Sequence, residues 1–122
     1  MKYSIGEFSK LINLSIYTLR YYEDKKLIIP NRYPNGRRYY TEADISWIEF
    51  IKRLKDTGMP LKDIQKYAIL RSQGDSTMDA RMDLLIEHKS QLESQISQLN
   101  DHLEKLNNKI QYYAHAINVL NT

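Results

Sequence analysis

Cysteine does not occur in this 122-residue sequence, and glycine and proline are scarce, at four and three residues. Without cysteine the chain has no disulfides, no thiolate metal ligands and no thiol-based redox sensing. Neither glycine nor proline occurs after residue 74. No apolar run approaches the roughly 20 residues that a transmembrane helix needs, and the N-terminus lacks a basic-then-apolar signal segment. We therefore expect a cytoplasmic protein without a membrane partner.

Residue combinations typical of catalysis are also missing. The sequence has no Ser/His/Asp or Cys/His arrangement and no glycine-rich phosphate loop, and its carboxylates are scattered over predicted helix surfaces. Its three histidines, His88, His102 and His115, are spread along one predicted helix. Metal sites need converging ligands, so we expect no metal, no cofactor and no enzymatic activity.

Charge is distributed unevenly along the chain. Residues 1–72 contain 14 Lys and Arg against 8 Asp and Glu, a balance of +6, whereas residues 73–122 contain 4 against 7, a balance of −3. A basic N-terminal part beside an acidic C-terminal part indicates a polyanionic partner for the N-terminal part alone.

The N-terminal part begins with two short helices. Ser4 is a suitable N-cap for a helix over residues 5–12, and Glu7 completes a capping box. Ser15 caps a second helix over residues 16–24, and apolar residues repeat at helical spacing along the first. Two short helices joined by a turn of a few residues form the helix-turn-helix pattern.

A two-stranded wing and two further helices follow. Asn35-Gly36 lies between tyrosine-rich segments and predicts a hairpin, because both residues tolerate a positive φ. Helices are predicted over residues 42–57 and 61–72, with Gly58 ending the first. The predicted fold class is therefore mainly α: a winged helix-turn-helix head of four helices and a two-stranded wing over residues 1–72.

The C-terminal part predicts a long coiled-coil helix. After a polar linker at residues 73–77, a coiled-coil helix is predicted over residues 78–122. Its heptad pattern runs from Met82 to the end, and Lys89, the one charged residue at an a position, would tend to select the register of pairing. Such a helix cannot bury its apolar stripe against so small a head, so we expect it to pair two copies of the chain. The predicted dimerisation residues are Leu85, Leu92, Ile96, Leu99, Leu103, Leu106, Ile110, Tyr113 and Ile117.

An alternative use of this stripe is a helical hairpin within one chain. The absence of glycine and proline argues against a sharp turn, and only Asn100, Asn107 and Asn108 offer soft positions. We favour pairing between chains, although a fold-back of the last two turns is compatible with it. The heptad alone does not fix the direction of pairing.

Several segments of residues 1–72 together resemble the MerR family of bacterial transcription regulators. The sequence departs from the family at Lys26, where glycine is usual, and at Arg37, where an aromatic residue is usual. The first departure places a lysine where a positive φ is expected, and the second adds charge to the wing tip. The matching segments, in unbroken order, are Tyr3-Ser4-Ile5-Gly6-Glu7-Phe8, Thr18-Leu19-Arg20-Tyr21-Tyr22-Glu23, Leu27-Ile28-Ile29-Pro30-Asn31-Arg32, Asn35-Gly36 with Arg38-Tyr39-Tyr40, Phe50-Ile51-Lys52-Arg53-Leu54, and Gly58-Met59-Pro60-Leu61-Lys62-Asp63-Ile64.

The resemblance implies where DNA is bound: the second helix would lie in the major groove and the wing would grip the flanking backbone. Arg20 is suited to a guanine edge or a phosphate. Of the adjacent tyrosines, we expect Tyr22 in the core and Tyr21 toward DNA. Lys52, Arg53 and Lys55 are either flank contacts or a solvated helix face. The candidate DNA-binding residues are Ser15, Tyr17, Thr18, Arg20, Tyr21, Arg37, Arg38 and Tyr39.

The sequence therefore predicts a homodimeric, sequence-specific transcription regulator. By resemblance, it would bind an inverted-repeat promoter operator and distort the DNA so that RNA polymerase can engage the promoter. The alternatives are an architectural DNA-binding protein without an effector and a coiled-coil adaptor, against which the basic wing argues. A small apolar or aromatic effector would have to use Trp47, Tyr67, Tyr112 and Tyr113, although packing of the core and of the dimer interface explains these residues more simply.

Overall fold

The computed structural model describes residues 1–122 and consists of helices and one short hairpin. No helix in it is long and apolar enough to cross a bilayer. A short 3-10 turn, Asp75–Thr77, precedes the last helix. The elements are α1 (Ile5–Ile12), α2 (Ile16–Asp24), β1 (Asn31–Arg32), β2 (Arg38–Tyr39), α3 (Glu42–Asp56), α4 (Leu61–Ser72) and α5 (Met78–Leu120).

Side-chain caps set the starts of the first two helices, as predicted. The Ser4 backbone N–H donates to Glu7 Oε1 at 2.9 Å, and the Glu7 N–H donates to Ser4 Oγ at 3.2 Å. These bonds satisfy N–H groups that the first turn of a helix leaves without partners. Asn13 adopts a left-handed φ of 55° and ends α1, and Ser15 Oγ caps α2 by accepting from the Thr18 N–H at 3.0 Å.

The hairpin forms the predicted wing, but its turn differs from the expected one. β1 and β2 are antiparallel, with Arg32 opposite Arg38. Of Asn35 and Gly36, only Gly36 has a positive φ, at 88°. Asn35 contributes through its side chain, whose Oδ1 accepts from the Arg37 N–H at 3.0 Å. The loop is five residues long, so one left-handed residue is enough to reverse the chain.

One apolar core joins α1 to α4 with the wing. α3 packs against α1 and α4, and α1 packs against α2. Phe8 stacks on Tyr40 with ring centroids 4.3 Å apart, and burial raises the pKa of the Tyr40 phenol, whose hydroxyl has no hydrogen-bond partner. The buried residues are Phe8, Ile12, Leu19, Tyr22, Leu27, Ile28, Tyr40, Trp47, Ile48, Ile51, Leu54, Met59 and Ile64.

α5 is a single helix of 43 residues, without the turn that a hairpin within one chain requires. The chain divides into two compact units, Met1–Leu85 and Ile86–Thr122. The first unit therefore extends beyond residue 72, where the sequence predicts the end of the head. Leu85 packs against the core of this unit, and Thr77 Oγ1 donates to the Leu70 carbonyl at 2.6 Å. These contacts attach the predicted linker and the start of α5 to the head.

Candidate nucleic-acid interface

The second helix presents one apolar and one polar face. Leu19 is fully buried and Tyr22 is 2% exposed, whereas Tyr17 is 82% exposed and Tyr21 39%. Arg20 is exposed on the same side as Tyr17. The expectation that Tyr22 packs inward is therefore confirmed. The exposed side presents two phenols and a guanidinium, which suit phosphate oxygens and base edges.

Ser15 and Thr18 form the cap at the start of α2. Their hydroxyl oxygens are 2.9 Å apart, and Ser15 Oγ accepts the Thr18 N–H. Because both hydroxyls take part in capping, their first effect is to fix the N-terminal turn of the helix. The positive end of the helix dipole lies at this turn and favours a nearby phosphate. Direct contact of these two side chains with DNA stays a prediction.

Two aromatic rings and a lysine cover one part of the wing. Tyr39 and Tyr33 have ring centroids 4.6 Å apart, and Lys2 Nζ is 4.8 Å from the Tyr39 centroid and 5.4 Å from that of Tyr33. Backbone bonds between Tyr3 and Tyr40, both 2.8 Å, attach the N-terminal segment beside the wing. The sequence does not point to Lys2, which contributes one more cation to this surface.

Arg37 and Arg38, the two adjacent wing arginines, have different surroundings. Arg37 is exposed near the tip of the hairpin. Arg38 points to α2, where its Nε donates to Glu23 Oε2 at 2.8 Å and its Nη2 donates to Glu23 Oε1 at 3.1 Å. These bonds raise the pKa of Arg38. The guanidinium is 31% exposed, so it remains accessible to a phosphate while it is paired.

Glu23 belongs to this surface but is not among the candidate residues predicted from the sequence. Its carboxylate accepts from Arg38 and, at 3.3 Å, from Arg32 Nη2. Arg32 Nη1 also donates to the Gly36 carbonyl at 2.8 Å. One acidic residue on α2 therefore contacts both strands of the wing. The sequence signal for it was its place at the end of the segment over residues 18–23, which resembles the MerR family, three positions after Arg20.

The space between α2 and the wing is an open crevice with charged walls. Its lining residues are Arg20, Glu23, Asp24, Lys26 and Arg38. Lys26 has a left-handed φ of 61°, as expected where the related family usually has glycine. The three cations outnumber the two carboxylates, so the crevice keeps a small net positive charge, which favours an anionic ligand such as a phosphate backbone.

Two lysines on α3 brace the head. Lys52 Nζ donates to the Ile12 carbonyl, the last of α1, at 2.9 Å. Lys55 Nζ donates to the Tyr22 hydroxyl at 3.2 Å. These contacts explain Lys52 and Lys55 without DNA. Arg53 is exposed, and a flank contact for it stays a prediction.

The aromatic residues assigned to an effector fall into two groups. Trp47 donates through Nε1 to the buried Leu27 carbonyl at 2.8 Å and stacks on Tyr67 at 5.8 Å. In the second unit, Tyr112 and Tyr113 contact each other edge to face at 5.4 Å. Trp47 and Tyr67 therefore serve the packing of the head, and the effector role of all four residues stays a prediction. No group of three or more His, Asp or Glu side chains is placed to hold a metal ion.

α5 carries exposed apolar side chains along the second unit. Leu85 packs against the head core and Leu92 is half-buried, while the other predicted dimerisation residues are at least half exposed. Exposed apolar residues at heptad spacing favour association with another helix. The exposed ones are Ile96, Leu99, Leu103, Leu106, Ile110, Tyr113 and Ile117.

The comparisons with known proteins cover both the head and the long helix. Residues 3–68 match the family described as MerR HTH family regulatory protein, and residues 45–109 match the one described as MerR, DNA binding. An HTH-type transcriptional regulator of Haemophilus influenzae is 36% identical over 118 residues, which make up 95% of this chain and 87% of that protein.

Two crystal structures extend this similarity to the fold. HiNmlR, a MerR family regulator lacking the sensor domain and bound to promoter DNA, has a TM-score of 0.82 at 33% identity; the match covers 95% of this chain and 93% of that chain. A MerR family transcriptional regulator from Bacillus thuringiensis has a TM-score of 0.76 at 32% identity and covers 90% of this chain and 97% of its own. Both matches extend over almost the full length of the chain compared.

Proposed function

This chain belongs to the MerR family of bacterial transcriptional regulators, and we propose that it binds an inverted-repeat promoter operator as a homodimer and distorts the DNA to control transcription. The observation that carries the proposal is the exposed face of α2 beside the basic wing in one compact unit. Glu23 links the two elements through Arg38 and Arg32. A helix that fits the major groove and a cationic hairpin that contacts the flanking phosphates form one DNA-binding surface.

Pairing through α5 supplies the second DNA-binding head. A two-fold symmetric dimer matches an operator whose half-sites are inverted, and the distance between the heads sets the half-site spacing. Two heads that each grip one half-site can hold the intervening DNA away from its relaxed shape. The contact energy of both heads then offsets the deformation energy of the DNA.

RNA polymerase at the same promoter is the partner that would read this deformation. HiNmlR is bound to promoter DNA in its crystal structure, and this supports a promoter as the target of the present chain. The work of such a regulator takes place in the cytoplasm, where promoter DNA is found. The relatives are transcriptional regulators, so the proposed activity is binding and not catalysis.

An effector-independent, architectural role is the second candidate function. HiNmlR lacks the sensor domain and matches almost the whole of this chain. The Trp47 indole, which a small molecule would have to reach, already donates to a backbone carbonyl and is stacked on Tyr67. Both observations favour a protein that binds and shapes DNA without a small-molecule signal.

Sequencing of genomic fragments retained by the purified dimer tests the proposal. We expect a shared inverted repeat that lies between promoter elements and is still retained at physiological salt. Recovery without a motif, lost at modest salt, would indicate backbone-only binding and would favour the architectural role. A coiled-coil adaptor would show no salt-sensitive retention of duplex DNA.

A further inference from the structure

One carboxylate lies within the cationic surface that we assign to DNA. Glu23 stands on α2 and accepts two hydrogen bonds from Arg38 and one from Arg32. The two arginines are directly opposite each other on β2 and β1. Like charges in this position repel each other and would splay the wing. A single carboxylate bonded to both offsets that repulsion and attaches the hairpin to the helix.

We propose that Glu23 is a positioning residue for operator recognition: through Arg38 it fixes the wing relative to the exposed face of α2. This inference rests on the proposed function and states what fixes the position of the wing at the same DNA-binding surface. Specific binding then depends on a negative charge inside a DNA-binding surface. Charge attraction alone predicts the opposite, namely that removal of this carboxylate strengthens binding to the operator.

The hydrogen-bond capacity of Arg38 allows both roles at once. A guanidinium has five N–H donors, and Glu23 accepts from Nε and Nη2. The Nη1 group and the second Nη2 hydrogen remain for a phosphate, in the fork geometry that suits it. The carboxylate therefore orients the donors of Arg38 without consuming them. An arginine without this partner would have to be ordered on binding, at a loss of side-chain entropy.

Folding of the head does not depend on this ion pair. The side chains of Glu23, Arg38 and Arg32 are 21%, 31% and 47% exposed, so solvent screens the pairs in part and their contribution to stability is modest beside that of the core. The apolar core holds the four helices of the head together. Loss of the Glu23 charge should therefore leave the fold intact and release the wing.

Specific and non-specific binding respond to Glu23 in opposite directions. Non-specific affinity follows the total charge that faces the phosphates, so removal of a carboxylate increases it. Specific affinity requires that the wing and α2 engage their contacts at the same time. It therefore falls when the wing loses its anchor. The ratio of specific to non-specific affinity therefore separates the effect of wing positioning from the effect of total charge.

The test compares Glu23→Gln with Asp24→Asn as a matched control. Asp24 is the next residue on α2, is exposed and lines the same crevice, but it forms no ion pair with the wing. Affinities are measured for a duplex with the recovered operator and for a scrambled duplex of equal length, at several salt concentrations. Thermal melting of both variants establishes that they are folded.

We expect Asp24→Asn to strengthen binding to both duplexes by a similar small factor, roughly threefold at most. Glu23→Gln should strengthen binding to the scrambled duplex and weaken binding to the operator, which lowers the specificity ratio by about tenfold. Equal ratios for the two variants would overturn the inference. Wild-type protein without any operator preference would overturn the proposed function and the inference together.

A double-mutant cycle with Arg38→Gln separates positioning from a general structural effect. If Glu23 acts through Arg38, Glu23→Gln in the Arg38→Gln background should affect both duplexes in the same way as Asp24→Asn does. A further loss of specificity in that background would contradict action through Arg38. The Arg38→Gln variant also breaks the contact from the wing side, so the test does not depend on the stability of one variant.

Discussion

Lys26 occupies a backbone conformation that a lysine adopts only with strain. Its φ is 61°, and its N–H donates to the Glu23 carbonyl at 3.0 Å just after α2 ends. A side chain in this region brings Cβ close to the backbone. The turn is kept because Leu27 and Ile28, the next two residues, are buried in the core. Core burial therefore fixes a local conformation that this residue type does not favour.

We expect Lys26→Gly to be more stable than Lys26→Ala by about 1 kcal/mol, because only glycine avoids the strain, partly offset by its greater freedom in the unfolded chain. Both substitutions remove the same charge, so the comparison isolates the backbone. Urea unfolding of the two variants measures the difference. Equal stability would mean that the turn relaxes to a negative φ when lysine is replaced.

Arg20 and Arg38 are two of the three arginines that we assign to DNA contacts. Arg20→Ala and Arg38→Ala should each strongly reduce specific binding without unfolding the dimer, since loss of one contact weakens each head by about 1–3 kcal/mol. Fluorescence anisotropy with an operator duplex measures the effect. Lys105→Ala, which removes an exposed positive charge from α5, is the control and should bind normally. Unchanged operator affinity in either arginine variant would contradict the site assignment.

At the scale of single elements, the capping box of α1 makes helix stability depend on pH. Hydrogen bonds from the backbone and side chain of Ser4 lower the pKa of Glu7 from its ordinary value of 4.5. A carboxyl with a lowered pKa in the folded state stabilises the protein above its unfolded pKa. This stabilisation is lost as the pH falls below about 4.5 and passes through the folded pKa.

The expected consequence is a pH-dependent difference between wild type and Glu7→Gln. The wild-type protein should melt at the higher temperature near neutral pH, and the difference should shrink as the pH is lowered through the range below 4.5. Thermal melting at a series of pH values provides the measurement. A difference that stays constant with pH would show that the charge of Glu7 does not contribute to the cap.

Local signals predict the elements well, because each depends on a few neighbouring residues. The capping serines at positions 4 and 15 and the apolar spacing define α1 and α2 within the chain segment itself. Contacts between residues that are distant in the sequence have no comparable local signal. Glu23 and Arg38 are 15 residues apart, and Lys52 reaches the Ile12 carbonyl across 40. Which cations stay free for DNA was therefore not predictable from the sequence.

The same limit applies to the end of the head. The polar residues at 73–77 have the composition of a linker, yet Thr77 donates to the Leu70 carbonyl, and Arg81 Nη2 donates to that of Gly74 at 3.2 Å. Leu85 fits the heptad pattern and also packs against the head core. Periodicity shows which face of a helix is apolar, but it does not show what covers that face at each position.

At the scale of the whole molecule, operator binding requires two heads. One head that makes a few base and phosphate contacts gains too little to deform DNA, whereas two heads on one duplex share the deformation energy. The exposed apolar residues of α5 are the only extended feature that can supply this second head. A variant that no longer dimerises should therefore also lose its specificity for the operator.

Leu99→Asp tests this coupling at a d position of the heptad. An unpaired charge in an apolar helix interface is strongly unfavourable, so light scattering after gel filtration should show a monomer. The neighbouring Ser97→Asp adds the same charge at an exposed b position and should remain dimeric.

The Leu99→Asp head should still fold, because the core of the unit Met1–Leu85 does not include Leu99. Its affinity should fall to a similar low level for operator and scrambled duplex. A monomer that keeps full operator specificity would show that one head suffices, and the two-fold operator would then have no role.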